Sequence, residues 1–308
     1  MEASITLKKV GKLLNERTIL AGLSFGIEKG SLVAVIGDSD SEKSMLLRIL
    51  AGFDMPEYGS VYIHGIDVSI KKKEIRMEIG YMPQECDLEP WLTVRQNIQF
   101  IGALYHVDKR TRNKRIDTIG DLLALHDDLD TPVIRLTIGV LKRAMLLRAL
   151  IHDPTVLILD NPSNSLDPRS KELIWNVLEQ LRGSKTIVYV SKSYSEVENY
   201  HDRILLLEEG KVVLDGDIQK LVKNAEGLHR FSFEFENPSK ALVARLMAIP
   251  NLISSEMMGN NFVCYGTDLK IISEILDISN KTALTNIDIK KFGLPEIVES
   301  QKLQDFEE

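Results

Sequence analysis

The segment that most constrains this chain runs from Ser31 to Leu50. Its first part, Leu32-Val33-Ala34-Val35-Ile36, is a continuous apolar run ending at Gly37, which predicts a buried strand. Its last part has apolar residues at 46, 47, 49 and 50 and predicts a helix that stops at Gly52. Between them lies Gly37-Asp38-Ser39-Asp40-Ser41-Glu42-Lys43-Ser44, which has the frame G-x-x-x-x-G-K-[ST] of a phosphate-binding loop but lacks its second glycine. In such a loop Gly37 turns the chain out of the strand, Lys43 reaches the terminal phosphates and the Ser44 hydroxyl ligates magnesium. Alone, so short a fragment is better read as a surface loop, so the rest of the chain has to decide.

Two β-type stretches, 4–10 and 20–27, precede that segment. A second buried-strand run, 155–160, carries Asp160 at its C-terminal end, and a third, 186–191, follows a helix over 168–181. Strands alternating with helices imply a largely parallel sheet covered on both faces. Between residues 80 and 135 the pattern turns helical, over 94–105 and 109–125, as an insertion into the α/β core. A hairpin strand at 211–216 and a short helix at 217–224 close a first domain, 1–224, with a helical subdomain at about 85–150. Residues 225–308 have their own order: strand 230–236, helix 239–248, strands 251–258 and 261–266, helix 269–278, strand 285–291 and helix 295–303. The first six elements read β-α-β-β-α-β, the order of a small ferredoxin-like α+β domain.

Charge and cysteine usage narrow the function classes. The net charge is −7, and residues 225–308 hold 8 Lys or Arg against 13 Asp or Glu. A near-neutral body with an acidic C-terminal part is a poor match to a phosphate-neutralising face, so nucleic acid is not an expected partner. The run Lys71-Lys72-Lys73 is read as a solvated turn. Two cysteines, Cys86 and Cys264, make no disulfide framework and no four-ligand zinc site, which fits a reducing compartment. The six histidines show no metal-ligand spacing. The N-terminus carries no basic-then-apolar leader, and no apolar run approaches the ~18 residues of a bilayer span.

Further motifs follow in register. Ile79-Gly80-Tyr81-Met82-Pro83-Gln84 resembles the Q-loop of ATP-binding subunits of ABC transporters, and Trp91-Leu92-Thr93-Val94-Arg95-Gln96-Asn97-Ile98 resembles the stretch that opens their helical subdomain. Leu136-Thr137-Ile138-Gly139-Val140-Leu141-Lys142-Arg143 stands where that family's LSGGQ signature falls. Val156 to Pro162 is similar to its Walker B strand, and Ser165-Leu166-Asp167-Pro168 matches its D-loop. The resemblance covers residues 4 to about 220 and implies a P-loop NTPase cassette with a parallel-sheet core, an antiparallel β subdomain and a helical subdomain. It implies ATP and Mg2+ as cofactors, with Gly37, Ser41, Lys43, Ser44 and Gln84 at the nucleotide and Ser44, Gln84 and Asp160 at the metal. Thr137, Gly139 and Asp167 take the signature and D-loop positions. The implied partners are a polytopic membrane permease and a second ATPase subunit, as homodimer or heterodimer, at the cytoplasmic face of a membrane. The C-terminal domain resembles the extension of the drug and antibiotic exporter branch, whose tail helix Gly293-Leu294-Pro295-Glu296-Ile297-Val298 echoes faintly.

The departures from the family pattern bear on activity. No aromatic residue precedes Phe25, so the adenine-stacking ring expected near Leu14 is missing, a contact worth ~1–3 kcal/mol on comparable base platforms. Asp40 and Glu42 replace both interior glycines of the loop, and Asp38 adds a third carboxylate. At ~5 Å and an effective dielectric of ~20, each would repel a unit phosphate charge by ~3 kcal/mol. Asn161 occupies the position of the family's catalytic glutamate, and loss of a general base costs ~10²–10⁴ in rate. Lys192 occupies the position of the switch histidine and is read as a surface lysine. Ile138 and Val140 replace a phosphate-facing glycine and the glutamine of the signature. These substitutions predict a degenerate subunit with a structural or regulatory role, in which Lys43, Ser44, Gln84 and Asp160 serve either weak Mg-ATP binding or as braces of the fold. The alternatives are a working exporter ATPase and a soluble single-cassette ATPase without a permease.

Overall fold

A computed structural model describes residues 3–200, 202–217, 229–250, 252–279, 284–291 and 296 of the chain, with the backbone alone at Asp40, Ser41, Lys72, Ser195 and Lys291. The chain divides into two compact units, Met1–Asp217 and Ile218–Glu308. The helices expected at 217–224 and 295–303, and the motif at 293–298, lie outside the described residues apart from Asp217 and Glu296.

In the larger unit, β1 (Ala3–Leu14) and β2 (Arg17–Glu28) form a hairpin longer than the stretches 4–10 and 20–27. Asn15 and Glu16 turn it with φ +48° and +65°. Two positive-φ residues match the twist of paired strands, so pairing continues up to the turn. With β4 (Tyr58–Ile63) and β5 (Ile66–Asp67) these strands make an antiparallel sheet in the order β2-β1-β4-β5. The second sheet contains β3 (Leu32–Ile36), β6 (Ile79–Met82), β7 (Val156–Asp160), β8 (Thr186–Val190), β9 (Arg203–Glu208) and β10 (Lys211–Gly216). Its order is β10-β9-β3-β8-β7-β6, parallel throughout except for the hairpin strand β10. Every residue of β3, β7 and β8 is buried, as expected for strands covered on both faces.

Among the described residues, the α-helices that accompany these sheets are α1 (Asp40–Leu50), α2 (Lys72–Glu78), α3 (Val94–Leu104), α4 (Lys109–Leu122), α5 (Ile138–Leu150), α6 (Pro168–Leu181) and α7 (Tyr194–Asn199). Leu46, Leu47, Ile49 and Leu50 of α1 join Ile5, Leu20 and Ile63 of the antiparallel sheet and Val33, Ile158 and Val188 of the mixed sheet in one core. Burial of that apolar stripe fixes α1, and with it the loop that precedes it. The lysine run at 71–73 opens α2 instead of forming a turn, and Lys71 pairs with Glu74 at 2.9 Å, the i,i+3 spacing of a helix. Helices α3, α4 and α5 form the insertion between β6 and β7, and α3 starts with a capping box of Thr93 and Gln96.

The smaller unit contains β11 (His229–Phe235), α8 (Lys240–Met247), β12 (Ser254–Met258), β13 (Asn261–Gly266), α9 (Lys270–Ile278) and β14 (Leu284–Lys291). Its antiparallel sheet runs β12-β13-β11-β14. Phe231, Phe233, Phe235 and Phe262 of the sheet pack with Leu242, Leu246, Ile271 and Ile275 of the two helices in a core of their own. Among the described residues no helix is long and apolar enough to cross a membrane.

Candidate functional site

The loop after β3 depends on its first glycine. Gly37 has φ +144°, and a Cβ there would run into the carbonyl of Leu207 on β9. Ser39 caps α1 by accepting from the Glu42 amide at 3.4 Å. Lys43 is 1% exposed, and its ammonium donates to the Gly37 carbonyl at 2.5 Å, closing the loop on itself. Ser44 donates from Oγ to Oδ2 of Asp160 at 2.6 Å.

Glu42 departs from the expectation that its carboxylate crowds a phosphate. It is 8% exposed and turned away from the loop, and its Oε2 accepts from the Gly210 amide at 3.2 Å in the turn between β9 and β10. Gly210 in turn accepts from the Ala21 amide of β2 at 2.8 Å. The buried hairpin amide needs an acceptor, and Glu42 supplies it. The repulsion assigned to Glu42 therefore does not apply, while Asp38 stays exposed at the rim. The side chains of Asp40 and Ser41 lie outside the described atoms.

Asp160 ends β7 with 2% exposure, and Asn161 follows it with φ +50°. The Asn161 amide donates to Oδ1 of Asp160 at 3.0 Å and to Oε1 of Gln84 at 3.2 Å. Ser44, Asp160, Asn161 and Gln84 thus form one connected group. Burial first, then the Asp160 charge, push the nearby Tyr81 hydroxyl up to about 12. Hydroxyl, carboxylate and amide oxygens of this kind are the chemistry that suits Mg2+; Ser44, Asp160 and Gln84 would hold the ion, and it would supply neutralisation of phosphate charge. Lys43 and Ser44 are both bonded to groups of the protein, the Gly37 carbonyl and the Asp160 carboxylate. At the hairpin tip, where a base would stack, Leu13 and Leu14 stand about half exposed.

Lys192 is exposed and lies with Asn161 and Ser163 on a cavity of about 170 Å³. The buried acid of this cavity is Glu196, which the sequence did not single out. It accepts from Ser163 at 2.8 Å and Ser191 at 3.0 Å and pairs with Lys171 at 3.1 Å. Its only sequence signal was Ser193-x-x-Glu196, which reads as a helix start; Ser193 does cap α7. In the signature segment Thr137 is the exposed residue before α5 and Ile138 beside it is 53% exposed. Gly139 is buried, and a Cβ there would meet Oγ of Ser170 and, at 3.1 Å, Oδ2 of Asp167. Asp167 caps α6 through the Ser170 amide at 3.0 Å, and the bonds from Ser170 hold its carboxyl below the usual range.

Residues 20–164 match the family model "ABC transporter". The chain is 31% identical over 278 residues to the Nod factor export ATP-binding protein I of Rhizobium meliloti, covering 89% of this chain and 81% of that protein. The chain belongs to the ATP-binding family of ABC transporters. Its likeness to the protein of the same description from Ralstonia nicotianae is 29% over 265 residues, with 86% and 82% covered. Among solved ABC cassettes, the dimeric structure of a bacterial ABC transporter cassette superposes with TM-score 0.65 at 28% identity, covering 69% of this chain and 98% of that one. The ABC family match spans the loop at 37–44, Gln84, the signature segment and Asp160, and ends before Lys192.

Proposed function

We propose that this chain is a degenerate ATP-binding-cassette subunit of an exporter-type ABC transporter, held at the cytoplasmic face of a membrane by a permease and paired with another cassette subunit. Its role in that assembly is structural or regulatory. The observation that carries this reading is Asn161, which follows Asp160 at the end of β7 and whose amide is bonded to Asp160 and to Gln84. Asn161, in the place of the family's base, has a neutral amide that cannot take a proton from water at neutral pH. In this reading Gly37, Ser41, Lys43, Ser44, Gln84 and Asp160 are what remains of a nucleotide and magnesium site. Thr137, Gly139 and Asp167 keep the surface toward the second subunit. The relatives' role in Nod factor export supports the exporter branch. The strand order β12-β13-β11-β14 with helices after the first and third strands supports a ferredoxin-like C-terminal domain.

Calorimetry with Mg-ATP on the purified full chain tests the reading, together with its ATP turnover. The expected result is no binding in the micromolar range and turnover at the buffer level. Micromolar affinity with turnover that disappears in Lys43→Ala would overturn it in favour of an active exporter ATPase.

A further inference from the structure

The segment leading from β6 to α3 is held at four places by charged and amide side chains. Arg148 of α5 donates to the Tyr81 carbonyl at 3.2 Å and pairs with Asp87 at 2.7 Å. Lys142 of the same helix, 5% exposed, donates to the Gln84 carbonyl at 2.6 Å. Asn161 donates to the Gln84 side chain at 3.2 Å. Asn97 of α3 secures the far end, accepting from the Glu89 amide at 2.7 Å and donating to its carbonyl at 3.0 Å.

The bond from Asn161 exists because residue 161 is an amide. A glutamate there would bring only acceptors to Oδ1 of Asp160, could meet Gln84 only with that amide turned to present its nitrogen, and would add a second negative charge beside a carboxylate that is 2% exposed. The orientation of the Asn161 amide is fixed by the same partners. Its own Oδ1 is buried without a hydrogen-bond partner among the described residues, an expense that is offset by the two bonds its nitrogen makes. Asparagine also tolerates the left-handed φ of +50° found there.

We infer that Asn161 is a positioning residue which, with Lys142, pins Gln84 and the strap 81–89 to the end of β7 and to α5 in the absence of nucleotide. The surface this strap presents is then the same whether or not ATP is near. The inference rests on the degenerate-subunit reading above, since a strap that is always held serves a subunit that holds its partner without turnover.

A probe position is built into the strap. Cys86 is exposed two residues beyond Gln84, and Cys264 is buried, so a thiol-reactive nitroxide attaches to the full-length chain at Cys86. The expected spectrum of the labelled protein is that of an immobilised nitroxide, unchanged by Mg-ATP. Asn161→Gly keeps the backbone conformation and removes the amide, and Gln84→Met removes the acceptor at an exposed residue. Both are expected to shorten the rotational correlation time about twofold or more, because a single pinned contact is released. Gln84→Glu keeps an acceptor for Asn161 and is expected to keep the immobilised spectrum. Identical spectra for wild type and Asn161→Gly would overturn the inference, as would equal mobility in Gln84→Glu and Gln84→Met. If Asn161→Gly loses its far-UV circular dichroism, the two Gln84 variants decide. Calorimetry on the same labelled protein keeps the outcomes separate: micromolar ATP binding sinks the degenerate-subunit reading, whereas a mobile wild-type strap sinks this inference alone.

Discussion

His152 stacks on Tyr105 with ring centroids 3.9 Å apart and bonds the Ile79 carbonyl through Nε2 at 3.0 Å, while its Nδ1 is buried without a partner among the described residues. Burial, the largest cause, lowers its pKa from 6.5 to about 4. The folded chain therefore refuses a proton that the unfolded chain accepts, so stability falls as pH drops through 6.5 and levels off below about 4. Between pH 7 and pH 5 the expected loss is about 2 kcal/mol relative to His152→Phe, which has no proton to refuse. Urea unfolding of both proteins at the two pH values checks this, and parallel pH dependence would contradict it. His152 carried no signal in the sequence, because histidine spacing speaks to metals and not to burial. Ser44, Gln84 and Asp160, which the structure joins through Asn161, were singled out from their motifs, while Lys43 bonds instead to the Gly37 carbonyl. Where Glu42 would point was not legible, because its partner Gly210 lies in a distant hairpin turn.

Helix α5 shows how one element connects several sites. Lys142 and Arg148 hold the strap, and Arg143 donates to the carbonyls of Leu123 and Ala124 at 2.6 and 2.7 Å. Its N-terminal turn approaches α6 closely because residue 139 has no side chain. Gly139→Ala is expected to displace Ser170 and Asp167, weaken the cap of α6 and cost about 1–3 kcal/mol. Thermal unfolding of the variant measures this; an unchanged midpoint would show that α6 yields without cost. In the mixed sheet β3, β7 and β8 were legible from their unbroken apolar runs and β10 as a hairpin strand, whereas β6 and β9 were not read as strands; α3, α4 and α6 were legible from their periodicity. The Asn15-Glu16 turn was not, since glutamate is an unusual residue at positive φ. Neither was the start of α2, where three successive lysines read as solvent and only the Lys71–Glu74 pair shows a helix.

Among the described residues, each compact unit contains a hydrophobic core built from its own side chains. Trp91 and Trp175, the chain's two tryptophans, both belong to the larger unit. Tryptophan fluorescence should therefore follow that unit alone, whereas far-UV circular dichroism follows both. Urea titration is expected to give non-coincident transitions by the two probes, and superimposable curves would mean that the units unfold as one. The sequence sets a second group of strands and helices in residues 225–308, starting with the strand at 230–236 and holding five of the seven net negative charges, whereas the compact units divide after Asp217. A last consequence concerns how such a chain changes over generations. Glu42 now completes the hydrogen bonding of the turn that ties β10 back toward β2. A glycine at 42 would remove that acceptor at once and leave the buried Gly210 amide without it. On the degenerate-subunit reading proposed above, residue 42 is therefore held by what it does for the fold, and a change to glycine costs stability before it alters anything at the loop.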